Sequence, residues 1–478
     1  MFLHNQAVRG GSPNNLETNI AQHSPTQVKG IWMSNTTSRK VNPALWMPTL
    51  YTAEGLPFVI VNVVSVLMYK DFSLMLKSKG LPGIPDSQIA LFTTLAAWPW
   101  MLKPLWAPFL EMFKTKKHFV VFTEFFGGIC LGLLALLLKL PDFFVLSLIA
   151  FTIISFNFAT HDIAADGVYI NTLSQKEQSQ YVGWQGAFYN VGKVLSQGVF
   201  VMLAGYLEVR IGVRGGWMVV MVLFGAFMVL ISLYHVKMLP TGGTSSHVKT
   251  LKETLNVFGD VTKTFFEKKY IWWGISFLIL YQFASGQGIK IFPLFLRAPR
   301  ARGGLGLPLE EIGVIYGVFP PIAFILGSIL AGYYAARRGL KKSLLTLCAL
   351  FNIPFAAYAF LAVTQPVNTV VIGVACIIEY FGYGFGFVGM VLFIMQQIAP
   401  GKYKTAHYAF GGAVLVFGTN LPAMFSGYLS DFLGYKHFFI WVLIATIPSF
   451  VISWLVPFRD TETEVTETPQ IETQTEKM

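Results

Sequence analysis

The chain has 478 residues, of which 54% are hydrophobic and only 12% charged, and it carries a formal net charge of +11. Soluble domains carry about 25% charged residues, so half that share, in long apolar runs divided by short basic loops, excludes an ordinary soluble protein and points to an integral membrane one. The basic residues stand beside apolar runs rather than on a soluble face, which speaks against nucleic acid as a partner and fits the positive-inside rule.

Residues 1–42 are rich in Asn, Ser, Thr and Gln and read as a disordered cytoplasmic tail without a signal peptide. Met33 lies just before the first apolar run, which leaves Met1 and Met33 as alternative starts. A hydrocarbon core of about 30 Å takes about 20 helical residues. On that ruler the chain holds twelve spans, at 43–70, 87–112, 118–139, 142–168, 178–208, 215–238, 269–297, 309–336, 342–363, 367–397, 404–433 and 437–457. The expected architecture is all-α: two six-helix bundles, 43–239 and 269–457, joined by a polar linker at 240–268 and followed by an acidic disordered tail at 458–478. With both tails inside, 22 lysines and arginines fall on the cytoplasmic side and 10 on the other, so both termini are expected in the cytoplasm. Cys130, Cys348 and Cys376 lie in apolar runs and read as core residues, not as disulfides or metal ligands.

The halves repeat. Gly83-Ile84-Pro85-Asp86-Ser87-Gln88-Ile89 precedes span two and Gly306-Leu307-Pro308-Leu309-Glu310-Glu311-Ile312 precedes span eight, 223 residues further on. In both, proline followed by an acidic or small polar residue is expected to start a helix with a side-chain cap. Both spans end in basic turns, Glu111 to Lys117 with Lys114, Lys116 and Lys117, and Arg337 to Lys342 with Arg338 and Lys341. Two six-span halves on a polar linker are the pattern of alternating-access transporters. Glu111, Lys116, Arg337 and Arg338 are expected to gate the cytoplasmic face by pairing across it; the alternative is that the cations only anchor topology.

The stretch Ala159-Thr160-His161-Asp162-Ile163-Ala164-Ala165-Asp166-Gly167 closes an apolar run in span four. Ionisable groups there are costly and are therefore paired or used. Asp162 and Asp166 are one helical turn apart, beside small residues that admit a second helix. The two readings are a gate or proton-handling site with His161, or an ion pair that fixes helix packing.

Leu50-Tyr51-Thr52-Ala53-Glu54-Gly55-Leu56-Pro57 in span one, Pro99 to Pro108 in span two (PWMLKPLWAP) and His161 to Gly167 in span four (HDIAADG) resemble the muropeptide permease (AmpG-like) family of the major facilitator superfamily. The related acetyl-CoA transporters share the Asp-Ile-Ala-x-Asp-Gly core. The similarity runs over 43–457, with its sharp motifs in the first half. The turn after span two departs from the usual form, with Glu111 where aspartate is common and no glycine before the basic cluster. The resemblance implies a twelve-helix major facilitator fold and proton-driven import of anhydromuropeptides, cell-wall fragments of amino sugar and peptide.

At about 1.5 Å per residue, Glu54, Lys103, Lys193 and Glu379 fall near mid-membrane, Asp162, Asp166 and Glu124 towards the cytoplasm, and Lys290 towards the outside. Transporter sites usually lie at the midplane between the halves. Desolvation there favours the neutral form of a carboxyl group, which a proton-exchanging site needs. Glu54 is the first candidate for proton coupling and Glu379 the second; the alternative for Glu54 is a structural acid paired with Lys103 or Lys193. Gln185, Tyr189, Lys193 and Gln197 recur every four residues as a polar stripe on span five. Amides and phenol suit hydroxyls and acetamides, and Lys193 suits a negative charge, so the stripe is read as substrate-binding, with Lys103, Gln282 and Asn420 added. Helix–helix hydrogen bonding is the alternative.

His161-Asp162 stands without the further His and Asp residues of a metal-dependent hydrolase, and no phosphate-cradling glycine loop appears. The expectation is therefore not an enzyme, with no cofactor and no metal, but a monomeric, multi-pass transporter in a bacterial inner membrane. Its partners are the lipid bilayer, protons and a small-molecule amino sugar or muropeptide. The rivals are the same fold with another sugar, sugar acid or acyl-CoA as cargo, and a membrane receptor that binds without transport.

Overall fold

The structure is a computed structural model and describes residues 41–111, 115–243 and 251–458. Almost all of both expected tails, Met33, Lys114 and the side chain of Glu111 lie outside the described residues. Among the described residues the chain crosses twelve times as helix. Two crossings are unbroken α-helices, Lys116–Leu137 and Phe143–Thr172, and Thr369–Ile398 runs on as one helix with a π-helical end. The others are bent or broken, and the breaks have local causes.

Span two is split into Asp86–Ala96 and Pro99–Glu111, because Pro99 lacks a backbone donor and pushes the preceding residue out of helical geometry. Span one keeps Pro48 and Pro57 inside the helix and runs on through a π-helical segment, Ile60–Val64, the usual way a helix absorbs a misplaced carbonyl. Span seven breaks at Gln282 into Ile271–Tyr281 and Phe283–Arg297. Spans five and six turn into each other at Gly212 and spans eleven and twelve at Gly434, both with positive φ (78° and 70°). That conformation favours glycine, which has no Cβ to clash, and the matching positions express the internal repeat.

Two expectations are corrected here. The helix starts at Pro85 and Pro308 carry no side-chain cap; Asp86 gives its carboxylate to Lys70 instead. The polar linker contains a helix, Leu251–Phe266. Phe258, Val261 and Phe265 share one of its faces, and Phe258 and Phe265 pack on Phe410 of span eleven with ring centroids 6.1 and 5.2 Å away. Seen with only its charge count, this amphipathic stretch reads as loop.

Large apolar side chains point outward at helical spacing, as on span three with Phe122, Phe126, Ile129, Leu133 and Leu136. A contiguous apolar exterior of this kind suits lipid and not water. Inside, the apolar core is distributed unevenly. One cluster joins both halves towards the face away from the termini, including Phe72, Trp217, Phe295, Leu309 and Phe439. Towards the terminal face the core divides. Trp46, Tyr51, Val120 and Val168 form a cluster within the first half, and Phe277, Leu347, Phe393 and Ile398 form another within the second. One apolar cluster thus joins the halves at the far face, whereas at the near face each half keeps a cluster of its own.

Candidate functional site

Span four brings the first set of groups together. His161 and Asp162 are buried on its inner face, and Asp162 Oδ2 accepts from Lys103 Nζ at 2.6 Å and from Trp100 Nε1 at 2.8 Å, both on span two. Behind this pair runs a buried chain of polar contacts. His161 Nε2 lies 3.1 Å from Glu124 Oε1 on span three, and its other ring nitrogen faces Asp162 Oδ1 at 3.7 Å. Glu124 accepts from His235 Nδ1 of span six at 2.8 and 2.9 Å. His235 Nε2 meets the Thr49 hydroxyl of span one at 2.8 Å. Glu124, His161 and His235 are each fully shielded, so each needs the others: a buried charge is tolerable only when paired and hydrogen-bonded. His235 escapes sequence reasoning because it stands near the end of an apolar run, where one histidine carries no spacing signal.

Spans one and five meet through glycine. A Cβ on Gly55 would sit 2.2 Å from the Tyr189 carbonyl oxygen, and one on Gly192 would sit 2.6 Å from that of Thr52. This backbone contact sets Glu54 beside the span-five stripe. Glu54 is half-buried, and its Oε2 has no hydrogen-bond partner among the described residues. Lys103, one of its expected partners, is engaged by Asp162, and Lys193 lies over the Phe324 ring of span eight at 5.1 Å. Asp162, Asp166 and Lys103 are nonetheless within electrostatic reach of Glu54.

The stripe is not uniform. Gln185, Tyr189 and Lys193 are half-buried, and Gln185 Nε2 donates to Asp166 Oδ1 at 3.2 Å. Gln197 is buried, and its Nε2 donates to the Tyr316 carbonyl of span eight at 3.4 Å, so it joins the halves and does not face an opening. Gln282 likewise bonds the Leu415 carbonyl at 2.8 Å and accepts from Thr419 at 2.7 Å. Asn420 is buried among helices as well. For these three the structure shows helix contacts in place of the open substrate surface expected from sequence, since an amide inside a helix bundle must satisfy itself locally.

The gate is also placed differently from expectation. On the terminal face Arg337 is exposed and Arg338 contacts Tyr334 (3.1 Å to its hydroxyl), with no ion pair to a carboxylate for either among the described residues. Lys116 Nζ donates to the Leu110 carbonyl of its own half at 2.6 Å. Among the described residues, the ion pairs between the halves lie at the far face. Arg297, ending span seven, donates to Asp71 Oδ1 at 2.5 Å and through Nη2 to both oxygens of Glu208 at 3.0 Å. Lys70 pairs with Asp86 at 2.6 Å, and the Tyr435 hydroxyl of the second half joins both. The Ser87 amide donates to Asp431 Oδ2 at 3.0 Å, and Lys290 reaches the Asn62 carbonyl at 2.9 Å. Asp71 and Arg297 each close an apolar run in equivalent spans, which is the signal sequence reading passed over.

In the second half Glu379 is buried and accepts a hydrogen bond from the Tyr358 hydroxyl at 2.5 Å. It borders a small cavity between spans seven, eight, nine and ten.

Comparison with known proteins follows this geometry. Residues 49–422 match the Major Facilitator Superfamily. Over 427 residues the chain is 22% identical to AmpG 4 of Rickettsia conorii, a protein whose name calls it a transporter, covering 84% of this chain and 94% of that one. Among solved structures, it resembles a bacterial homologue of the human lysosomal transporter Spinster in an inward-facing, unoccupied conformation (TM-score 0.62, 17% identity, 86% of this chain and 94% of that one). It also resembles a D-xylose–proton symporter (TM-score 0.63, 12% identity, 86% and 96%).

Proposed function

The chain belongs to the Major Facilitator Superfamily, and from that membership we propose that this multi-pass membrane transporter imports anhydromuropeptides or related cell-wall amino sugars with protons, across a bacterial inner membrane. The likeness to a bacterial protein named as a transporter supports transport across a bacterial membrane, and the cargo class is what the motif resemblance implies.

The observation that carries the reading is the set Glu54, Lys103, Asp162 and Asp166, held beside the Gln185–Lys193 stripe where the two halves part. In this reading Glu54 exchanges the coupled proton: its buried Oε2 has no hydrogen-bond partner among the described residues, whereas Asp162 is held by Lys103 and Trp100 and Asp166 by Gln185. Gln185, Tyr189 and Lys193 receive the hydroxyls, acetamides and carboxylates of the solute. Both termini lie in the cytoplasm and one chain suffices. The parted face is then the cytoplasmic one, and the Arg297 and Lys70 contacts hold the outer face shut. Import requires those contacts to break while the near ends of the bundles close, as alternating access demands.

Counterflow tests this. Proteoliposomes preloaded with unlabelled anhydromuropeptide should concentrate labelled anhydromuropeptide transiently, and competition by sialic acid or acetyl-CoA should be weak. Saturable binding without counterflow points to a receptor and sinks the transport reading. Counterflow of acetyl-CoA but not anhydromuropeptide sinks the cargo assignment.

A further inference from the structure

The cavity beside Glu379 is lined mainly by aromatic side chains, with Ser285 and Ile289 completing the wall. Tyr316, Tyr358, Tyr380, Tyr383 and Phe292 surround the carboxyl group, and no lysine or arginine lines it. Its volume of about 40 Å³ accommodates a group or two of water size, since a water needs roughly 10–15 Å³ by this kind of measure, and it is far too small for a sugar ring. Gly288 forms part of the wall, and a Cβ there would meet nothing within 4 Å, so the glycine leaves the space open.

Glu379 is only 6% exposed. Tyr358 donates to its Oε2, and among the described residues no hydrogen bond reaches its Oε1. Tyr358 is itself held in place by Phe292, whose ring stacks on it with centroids 3.5 Å apart and planes 12° from parallel. Tyr316 and Tyr380 meet edge to face at 90°, and Tyr380 and Tyr383 at 64°. The arrangement borders a small, partly open space with aromatic side chains and one carboxyl group. Aromatic faces attract cations through the ring quadrupole, most strongly where water is excluded, and a buried carboxylate seeks a positive partner. At Tyr383 the wall approaches the first half: its ring lies 5.4 Å from that of Phe324, over which Lys193 of the span-five stripe sits at 5.1 Å.

We propose that Glu379 and its tyrosine cage form a recognition site for a primary ammonium group of the transported solute. The site takes the charged amine of an amino sugar or amino acid and rejects its acetylated, neutral counterpart. This gives Glu379 a binding role in place of proton exchange. It rests on the reading that a small solute enters between the halves, but binding at the cage does not require that the solute be a cell-wall fragment.

The test uses purified full-length protein in nanodiscs, with glucosamine and N-acetylglucosamine as probes in calorimetric titrations at neutral pH. Glucosamine is expected to bind about tenfold more tightly, the scale of a desolvated cation–π and carboxylate contact. Glu379→Gln should abolish that preference. Tyr383→Leu, which leaves the carboxyl group in place, should reduce it several-fold without changing N-acetylglucosamine binding, and it keeps the test valid should Glu379→Gln not fold. Equal affinity for the two sugars, no binding of either, or a preference that survives both substitutions overturns the cage. Loss of the cage with anhydromuropeptide counterflow intact removes this inference alone. An intact amine preference without such counterflow removes the cargo and leaves the cage standing.

Discussion

Lys103 Nζ is held 2.6 Å from Asp162 Oδ2 across spans two and four, although Glu54 and Asp166 also lie within its electrostatic reach. Lys103 is thus engaged by Asp162 while two further acids of the passage share its field. The pair is the structural centre of the first half's site, because Trp100 donates to the same oxygen and His161 backs the other. Removing Lys103 leaves Asp162 as an uncompensated buried charge, whereas removing Asp162 leaves part-exposed Lys103 to the field of Glu54 and Asp166. Lys103→Gln should destabilise the protein by about 3–5 kcal/mol and Asp162→Asn by less, read as a lower midpoint of thermal unfolding in detergent. The double variant should recover part of the loss. Strict additivity of the two would show that the contact contributes nothing of its own.

The Glu124 carboxylate is enclosed by His161 and His235. Glu124→Ala strands both imidazoles and should cost about 3–5 kcal/mol, whereas Glu124→Gln keeps an acceptor and should cost about 1–3 kcal/mol. Thermal unfolding of the two variants side by side checks the order. A Gln variant as unstable as the Ala variant would mean that the charge, and not the acceptor, holds the three helices together.

At the far face Arg297 spans the halves, with Asp71 and Glu208 on the other side. Arg297→Gln should loosen that closure. With Cys130, Cys348 and Cys376 replaced and a reporter cysteine at buried Ser87, an impermeant maleimide added outside should react about tenfold faster, a shift of ~1.4 kcal/mol. An unchanged labelling rate would show that apolar packing alone keeps this face shut.

Lys193 lies over the Phe324 ring of the opposite half. Lys193→Ala should weaken competition by acidic sugars about tenfold and by neutral ones little, the scale of one partly desolvated charged contact. Equal loss for both classes in a counterflow competition assay assigns Lys193 to helix packing.

How much of this was legible in the sequence follows from the range of each interaction. Apolar run lengths and the repeat at 83 and 306 are local signals, and they lead to twelve helices in two bundles. The four-residue spacing of Gln185, Tyr189 and Lys193 is local too, and those groups stand where the halves part. Pairings are not local. Nothing in the segment around Tyr234-His235-Val236 indicates that its imidazole meets Glu124, which is 111 residues away. Nor does the Gln197 or Gln282 amide declare, in one dimension, whether a neighbouring helix or open space lies opposite. Arg337 and Arg338 pair with no carboxylate among the described residues in this conformation, and the sequence does not announce that either. Charge at a span end marks topology as readily as contact, and the conformation shown joins its halves at the other face. Glu379 was found by depth alone; the tyrosines that define its setting come from spans eight, nine and ten and converge only on folding.

The central claim is that Glu54 exchanges the coupled proton in a passage between the two bundles, and one comparison tests it most directly. Wild type and Glu54→Gln are reconstituted at equal amounts, and uptake of labelled anhydromuropeptide is measured both under an imposed pH gradient and as counterflow without one. The account predicts that the variant loses gradient-driven accumulation and keeps counterflow. Accumulation equal to wild type in Glu54→Gln contradicts it.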